Sequence, residues 1–229
     1  MIKLYKKYVL PLIDGTLRLL YPKICLVCSE KFYPGNVPIC NDCQSEIQEM
    51  PREIFLKKDQ PENIDSLFIP FLFNETYQKV IHMLKYRGYS SVGKWIGKLV
   101  AGKQSIAKFE NTNTILVPIP LHKIRSRERG YNQARMIAKG IQARIKLPIQ
   151  TDLIKRIKNT RSQTHLSKAE RIENMKNAFA IQEEYIEKEN IILVDDVFTT
   201  GTTMNCAAKT LRGKVKGEIV GLASAAPQS

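Results

Sequence analysis

The sequence lacks the features that mark several large protein classes. No stretch reaches the roughly 18 consecutive apolar residues that a transmembrane helix needs. Only 12 of the 229 residues are glycine and 11 are proline, so neither a collagen-like repeat nor a disordered low-complexity chain is indicated. Acidic residues are also few: 22 Asp and Glu stand against 36 Lys and Arg, a net charge of +14. So basic a chain favours phosphate-bearing partners such as nucleotides, nucleic acid or an anionic membrane surface.

Residues 1–22 mix lysines with apolar residues, as a secretory signal does. A polar or helix-breaking residue interrupts the apolar run at Pro11, Asp14, Gly15 and Arg18, and no small-residue cleavage site follows. We therefore expect a soluble cytoplasmic protein in which residues 1–22 form an amphipathic segment that packs on the rest of the chain. A peripheral contact of this segment with a membrane surface or a partner helix is the less favoured alternative.

Four of the five cysteines form two closely spaced pairs, Cys25-x-x-Cys28 and Cys40-x-x-Cys43. Two thiolates on each of two tight turns supply the four tetrahedral ligands of a structural zinc ion. We therefore predict a zinc knuckle over residues 23–47. Two disulfides are a competing interpretation that a reducing cytoplasm disfavours, and four thiolates leave no open position for a catalytic water. Cys206 stands apart and is interpreted as a buried small residue.

After the cysteines, residues 48–65 are polar and contain Pro51 and Pro61, which predicts a linker. In the following domain, residues 66–229, short apolar runs alternate with helical spacing, which predicts an α/β fold with a largely parallel sheet. Ligands of such sheets bind beyond the carboxyl ends of the strands. The predicted strands are Leu67–Phe73, Ile115–Pro120, Leu147–Leu153, Ile191–Val194 and Glu218–Leu222.

The predicted strand Ile191–Val194 runs into Asp195 and Asp196 and then into a small-residue turn, Thr199–Thr203, that precedes a helical pattern. Backbone N–H groups of such a turn, the positive end of the helix and the threonine hydroxyls are suited to bind a phosphate. Two adjacent carboxylates would repel that phosphate, but they can accept hydrogen bonds from the vicinal hydroxyls of a sugar. An ordinary threonine-rich turn is the alternative.

This turn is neither a Walker loop, because no Gly-Lys-Ser/Thr follows, nor a dinucleotide fingerprint, because Gly-x-Gly-x-x-Gly is absent. The run from Ile191 to Thr203 resembles the phosphoribosyl pyrophosphate (PRPP) loop of type I phosphoribosyltransferases. That resemblance implies a type I phosphoribosyltransferase-like sheet flanked by helices, with magnesium accompanying PRPP. It also implies that Asp195 and Asp196 hold the ribose hydroxyls and that the 5′-phosphate lies on Thr199, Thr200, Gly201, Thr202 and Thr203.

Most of the positive charge lies in one quarter of the chain. From Leu121 to Lys176 there are 15 Lys and Arg against 4 Asp and Glu, a net +11. The resemblance implies that an Arg127–Arg129 loop binds the pyrophosphate and that residues 159–176, including Arg161, form a flexible lid. Nucleic-acid contacts are predicted for Lys123, Arg125, Arg156, Lys158, Lys168 and Arg171. A merely solvated basic face is the alternative interpretation.

The order of further motifs along the chain points to one family within the phosphoribosyltransferase-like proteins. Six features occur in an order that resembles the ComF competence family: the cysteine quartet, Leu84-Lys85-Tyr86-Arg87-Gly88, Val117-Pro118-Ile119-Pro120-Leu121, Arg127-Glu128-Arg129-Gly130-Tyr131-Asn132-Gln133, Gln163-Thr164-x-Leu166-Ser167 and the PRPP loop. This resemblance covers nearly the whole chain. It implies a phosphoribosyltransferase-like protein that handles incoming single-stranded DNA during natural transformation, with a DNA-translocating ATPase as partner.

Whether the chain is an enzyme stays open at this stage. The catalytic candidates are Asp195, Asp196, Arg127 and Arg129, and one of Tyr86, Tyr89 and Tyr131 is expected to stack an acceptor base. The alternative function is an active phosphoribosyltransferase that transfers a 5-phosphoribosyl group to a nucleobase or amine, unrelated to DNA uptake. A third hypothesis is a structural adaptor that binds no PRPP.

Overall fold

The structure, a computed structural model, describes residues 23–32, 39–51, 61–158, 177–182 and 190–228. The chain forms two compact units that divide between Ile47 and Gln48. The predicted amphipathic segment 1–22 lies outside the described residues. Both described ends of the predicted linker pack within the second unit, where Met50 and Ile64 are buried in its core.

The first unit is a small cysteine-bearing module. Strand β1 (Lys23–Ile24) pairs antiparallel with β2 (Lys31–Phe32), and helix α1 (Asn41–Ser45) follows. The connecting turn is tight, because the amide of Ser29 donates to the carbonyl of Cys25 at 2.9 Å and Ser29 has a φ of 65°. This turn brings Cys25 and Cys28 close together, while Cys40 and Cys43 lie at the start of α1.

The second unit is built on a parallel sheet. Its strands are β3 (Ser66–Phe68), β4 (Phe71–Leu72), β5 (Thr114–Pro118), β8 (Asn190–Val197) and β9 (Ile219–Ala226). The spatial order is β3–β9–β8–β5, β4 also pairs with β9, and every pairing is parallel. The predicted strand 67–73 is therefore two strands, separated at Ile69 and Pro70, since proline has no N–H to donate to a ladder.

Helices cover both faces of this sheet. On one face, Met204 and Leu211 of α7 (Thr202–Leu211) share a core cluster with Ile191 and Leu193. On the other, α6 (Gln133–Gln142) contacts β5 and β8. The remaining helices are α2 (Glu75–Tyr86), α3 (Ser90–Ala101), α4 (Gln104–Ala107) and α5 (Lys123–Arg129). The parallel sheet between helices and the separate cysteine unit confirm the predicted fold class.

Helix α3 packs closely against α6 through two glycines. A Cβ added at Gly97 would lie 2.0 Å from the carbonyl oxygen of Ile137, and one added at Gly140 would lie 2.1 Å from that of Lys94. Only glycine permits this backbone approach. Among the described helices, none has the length and hydropathy that a membrane crossing requires.

Two short strands of this unit form a second sheet, a ribbon whose ladder is separate from that of the main sheet. Strand β6 (Ile154–Arg156) pairs antiparallel with β7 (Phe179–Ile181). The structure differs here from the predicted strand over Leu147–Leu153, which contributes only one parallel bridge, between Ile149 and Leu116. Pro148 limits that pairing because it accepts from the amide of Leu116 but has no N–H to return.

Candidate functional site

The acidic pair lies at the carboxyl end of β8. The strand extends through Asp195 and Asp196 to Val197, so both carboxylates stand at the sheet edge where ligands of parallel sheets bind. The following turn passes through Gly201, which has a φ of 67°, and α7 begins at Thr202. A Cβ at Gly201 would lie 2.7 Å from the ring of Phe198, so the turn depends on glycine both for space and for its left-handed backbone.

A cavity of about 330 Å³ opens in front of this turn. Its lining includes the two carboxylates, the small-residue turn and four cationic side chains from other elements, besides aromatic, apolar and amide side chains. Those cations are Lys85, Arg125, Arg129 and Arg156. The structure thus brings the predicted sugar-binding and phosphate-binding residues, Asp195, Asp196 and Thr199–Thr203, into one cavity with arginines that lie far away in sequence.

The two carboxyl groups are in different environments. Asp196 is buried, and its Oδ2 lies 2.8 Å from Nζ of Lys85. Burial and the neighbouring Asp196 carboxylate raise the pKa of Asp195 to about 7, against the opposing effects of the Asp196 amide, Lys85 and Arg156. Burial by itself would lower the pKa of Lys85, but its attraction to Asp196 outweighs this and the pKa is raised. Asp196 is therefore ion-paired, while Asp195 is the carboxyl group that titrates near neutrality.

The predicted Arg127–Arg129 loop is not a loop but the last turn of α5. The helix begins where the His122 side chain accepts from the amide of Ile124 at 3.4 Å, and it ends at Gly130, whose φ is 75°. Successive residues of a helix are about 100° apart, so Arg125 and Arg129 share one face and Arg127 points away from it. Arg125 and Arg129 line the cavity, whereas Arg127 does not.

The basic residues that line the cavity are therefore not the ones that the sequence predicted as substrate ligands. Arg125 and Arg156, predicted as nucleic-acid contacts, line it, whereas Arg127, predicted as a substrate ligand, does not. Among the described residues, Lys123 and Lys158 also lie outside the cavity lining. The predictions for Arg161, Lys168, Arg171 and the lid 159–176 fall outside the described residues.

Arg156 reaches the cavity from the β6–β7 ribbon. Its guanidinium carbon lies 5.7 Å from the ring centre of Phe179 on the partner strand. Burial, together with repulsion from Arg125, lowers the pKa of Arg156, and Asp195 counteracts part of that effect. Because an arginine stays protonated even with such a shift, the ribbon delivers a permanent positive charge beside the acidic pair.

The four cysteines of the first unit meet in one cluster. Their Sγ atoms all lie within 4.8 Å of one another, and those of Cys28 and Cys40 are 3.8 Å apart. Zinc–sulfur bonds of about 2.3 Å in a tetrahedron place the sulfurs about 3.8 Å apart, so the cluster fits a metal ion. Burial alone would raise the pKa of Cys25, but amide donors from Cys28, Cys40 and Val27 lower it to about 6.

Cys206 lies apart from this cluster, on α7. It is half-buried and packs against the core, and burial raises the pKa of its thiol. A thiol of this kind packs as a small apolar residue and is not an activated nucleophile.

Comparison with known proteins connects this architecture to competence proteins. The chain is 28% identical over 218 residues to Competence protein F of Haemophilus influenzae, covering 92% of this chain and 94% of that protein. It is 26% identical over 233 residues to Competence protein ComFC of Bacillus subtilis, covering 86% and 92%. The resemblance to the ComF competence family is confirmed. No family model matches the chain.

Two further comparisons extend beyond the proteins named for competence. The chain is 28% identical over 135 residues to DNA utilization protein YhgH of Salmonella typhi, covering 58% of this chain and 59% of that protein. A hypoxanthine phosphoribosyltransferase from Staphylococcus aureus superposes with a TM-score of 0.37 and 16% identity, over 62% of this chain and 68% of that one.

Three polar residues of the site stand in the sequence motifs, but sequence reasoning assigned them no role in the site. Lys85 pairs with Asp196, Asn132 caps α6 and donates to the carbonyl of Ile119 at 2.9 Å, and Gln133 accepts from Arg129 at 2.9 Å. One signal was available for Lys85. It follows Ile81 by four residues, so a lysine continues the apolar stripe of α2, where a charged side chain needs a buried partner.

Proposed function

We propose that this protein is a PRPP-binding, phosphoribosyltransferase-like competence protein that handles incoming single-stranded DNA in the cytoplasm during natural transformation. The observation that carries the proposal is the single cavity in which an acidic pair, a small-residue turn and three arginines meet. The names of the ComF relatives support the DNA-handling part. The +14 net charge supports an anionic partner.

Each part of the cavity matches one part of PRPP. Asp195 and Asp196 are the acceptors for the two ribose hydroxyls, and the turn Thr199–Thr203 offers backbone amides and hydroxyls to the 5′-phosphate. Arg125, Arg129 and Arg156 supply guanidinium groups to the diphosphate. The cavity volume of about 330 Å³ lies at the lower end of the range, about 300–1,000 Å³, that small-molecule sites occupy.

The same cavity would serve the alternative function, an active phosphoribosyltransferase. The intact acidic pair and turn favour it, since a mere DNA-binding surface needs neither. In that reaction a nitrogen of the nucleobase or amine forms a bond to the anomeric carbon, and the bond to diphosphate breaks with its electrons on the leaving oxygen. The proton that the nitrogen loses is released to solvent. Magnesium would accompany PRPP and offset the charge of the diphosphate. Release of pyrophosphate in the presence of candidate bases distinguishes this function from binding without turnover.

The other proposed partners involve residues outside the cavity. A structural zinc ion is held by Cys25, Cys28, Cys40 and Cys43, whose sulfur geometry fits it. Single-stranded DNA lies along the basic residues that the cavity does not use, Lys123, Arg127 and Lys158, extended by the predicted contacts Lys168 and Arg171. A DNA-translocating ATPase is the proposed protein partner.

Helix α5 provides a matched pair of variants that tests this division. Arg129→Gln is expected to lower PRPP affinity by about tenfold or more in calorimetry, because a charge-assisted contact to phosphate is lost. Arg127→Gln, on the same helix turn but outside the cavity lining, is expected to leave PRPP affinity unchanged. It should reduce the slope of log affinity for single-stranded DNA against log salt by about 0.7. Equal losses of PRPP affinity in the two variants would contradict the proposed site.

PRPP binding should also depend on the titration of Asp195. Because its pKa is about 7, the carboxyl group gains its charge and its full acceptor strength as the pH rises through neutrality. We therefore expect PRPP affinity to increase between about pH 6 and about pH 8. The phosphates of PRPP themselves titrate at about pH 6. The control is therefore Asp195→Asn, whose PRPP affinity still depends on the phosphate titration but no longer on that of Asp195. Parallel pH profiles for the two proteins would exclude this role of Asp195.

A further inference from the structure

We propose that Tyr86 is the platform on which a nucleobase stacks at the mouth of the cavity. The inference rests on the proposed function and names the residue that receives the base. The ligand chemistry is a purine or pyrimidine ring, which can come from a free acceptor base or from a DNA strand. The experiment below distinguishes these two sources.

Tyr86 combines exposure with a place at the site. It is the last residue of α2, its side chain is 64% exposed, and it nevertheless lines the cavity. Nζ of the preceding residue, Lys85, lies 2.8 Å from Oδ2 of Asp196. The tyrosine ring is therefore next in the chain to the group that fixes one of the proposed ribose-binding carboxylates. Because Tyr86 and the acidic pair line the same cavity, we expect a base attached to that ribose, or awaiting transfer to it, to lie within reach of this ring.

Two neighbouring side chains orient the ring. The guanidinium carbon of Arg129 lies 5.4 Å from the centre of the Tyr86 ring, and the His82 ring lies 5.1 Å away at 45°. His82 is one helical turn before Tyr86. The guanidinium of Arg129 donates a hydrogen bond to Oε1 of Gln133 at 2.9 Å, which fixes the position of the arginine. Exposed tyrosines ordinarily sample several rotamers, so these contacts reduce the entropy that stacking would otherwise cost.

The other tyrosines considered for this role do not combine these properties. The hydroxyl of Tyr131 donates to the carbonyl of Leu84 at 2.5 Å, which ties Tyr131 to α2 as a structural contact. Tyr89 is 42% exposed and occupies the N-cap position of α3 without a side-chain cap hydrogen bond, but it is not among the residues that line the cavity. Two phenylalanines do line the cavity, but Phe198 is buried and Phe73 is half-buried. Tyr86 thus offers the exposed ring at the site.

The test compares Tyr86→Ala, Tyr86→Phe and the matched surface control Tyr89→Ala in the full chain. The probes are a single strand of thymidines, an abasic strand of equal length and charge, and free adenine, guanine, cytosine and uracil with PRPP present. A base that stacks contributes about five- to a hundredfold in affinity. Tyr86→Ala should therefore bind its base-bearing ligand at least about fivefold more weakly, while Tyr86→Phe and Tyr89→Ala retain wild-type affinity.

The pattern of losses identifies the source of the base. Loss for the thymidine strand with unchanged abasic-strand affinity and salt slope shows that a strand base is stacked. Loss confined to a free base, measured by calorimetry, shows that an acceptor is stacked. Wild-type affinity of Tyr86→Ala for all these probes, or equal loss for the abasic and thymidine strands, would overturn the proposal. Titration with PRPP alone separates the two hypotheses: a wild-type chain that does not bind PRPP refutes the proposed function, whatever Tyr86 does to base stacking.

Discussion

Asp195→Asn combined with Asp196→Asn is expected to lower PRPP affinity by more than about a hundredfold. Each substitution removes a charged acceptor from a ribose hydroxyl, and hydrogen bonds to charged groups contribute about 1.5–3 kcal/mol each. At about pH 8, where Asp195 is ionised, affinity for single-stranded DNA should stay the same or rise, because two negative charges are removed and Lys85 loses its carboxylate partner. Calorimetry with PRPP and fluorescence anisotropy with labelled DNA measure the two affinities separately.

The matched control for this double variant is Asp152→Asn. Asp152 is exposed and lies outside the cavity lining, so it changes the net charge without touching the proposed ribose site. The control should leave PRPP affinity at the wild-type value. A parallel fall of DNA and PRPP affinity in the double variant, with an intact thermal transition, would show that both ligands need the same carboxylates. That result would contradict the proposal that PRPP binds in the cavity while single-stranded DNA binds to basic residues outside it.

The acidic pair and its turn could be predicted because they are contiguous in the chain. Ile191–Val194 is a continuous apolar run typical of a strand buried on both faces, and Gly201 within a row of threonines marks the turn. Both features are local, so no knowledge of the rest of the fold was needed. The side chains that complete the cavity are different: Lys85, Arg129 and Arg156 come from three separate elements. Their convergence depends on tertiary packing, which a local pattern does not encode.

The misassigned elements have similar physical reasons. Helix α5 is only seven residues long, and its existence depends on the cap at His122 and the left-handed Gly130 rather than on an apolar stripe. The β6–β7 ribbon pairs Arg156 with Phe179, residues separated by the predicted lid, so neither short strand is recognisable alone. This ribbon places Arg156 in the cavity. The basic quarter of the chain is visible in the sequence, but which of its charges line the cavity is not.

The placement of Arg125 and Arg129 one turn apart connects the two proposed activities. Their shared face of α5 lines the cavity, while Arg127 points away from it. One short helix can therefore contact a small phosphate ligand on one side and a DNA backbone on the other. Because Arg129 also lies 5.4 Å from the centre of the Tyr86 ring, a ligand that moves this arginine changes the contacts of the proposed stacking platform. Binding of PRPP and of a base are therefore expected to be coupled.

Removal of zinc is expected to unfold the cysteine unit while leaving the sheet unit folded. Apart from the cysteines, the only buried apolar side chain described in the first unit is Ile39. The described residues therefore supply almost no apolar core, and we expect the proposed zinc ion to stabilise the unit. Zinc binding contributes about 10–16 kcal/mol of apparent folding free energy at comparable sites. Hydrogen exchange should show loss of protection in residues 39–47 after chelation, with protection retained in β8 and β9.

Cysteine variants make the same test without a chelator. Cys43→Ser removes one of the four clustered sulfurs and should reduce bound zinc from about one ion per chain to well below that value, measured by mass spectrometry of the intact protein. Cys206→Ser is the matched control, because its thiol lies outside the cluster, and it should retain the full zinc content. Since the proposed PRPP site lies wholly within the second unit, Cys43→Ser should still bind PRPP. Full zinc content in Cys43→Ser, or equal zinc loss in both variants, would contradict the assignment of the cluster as the zinc site.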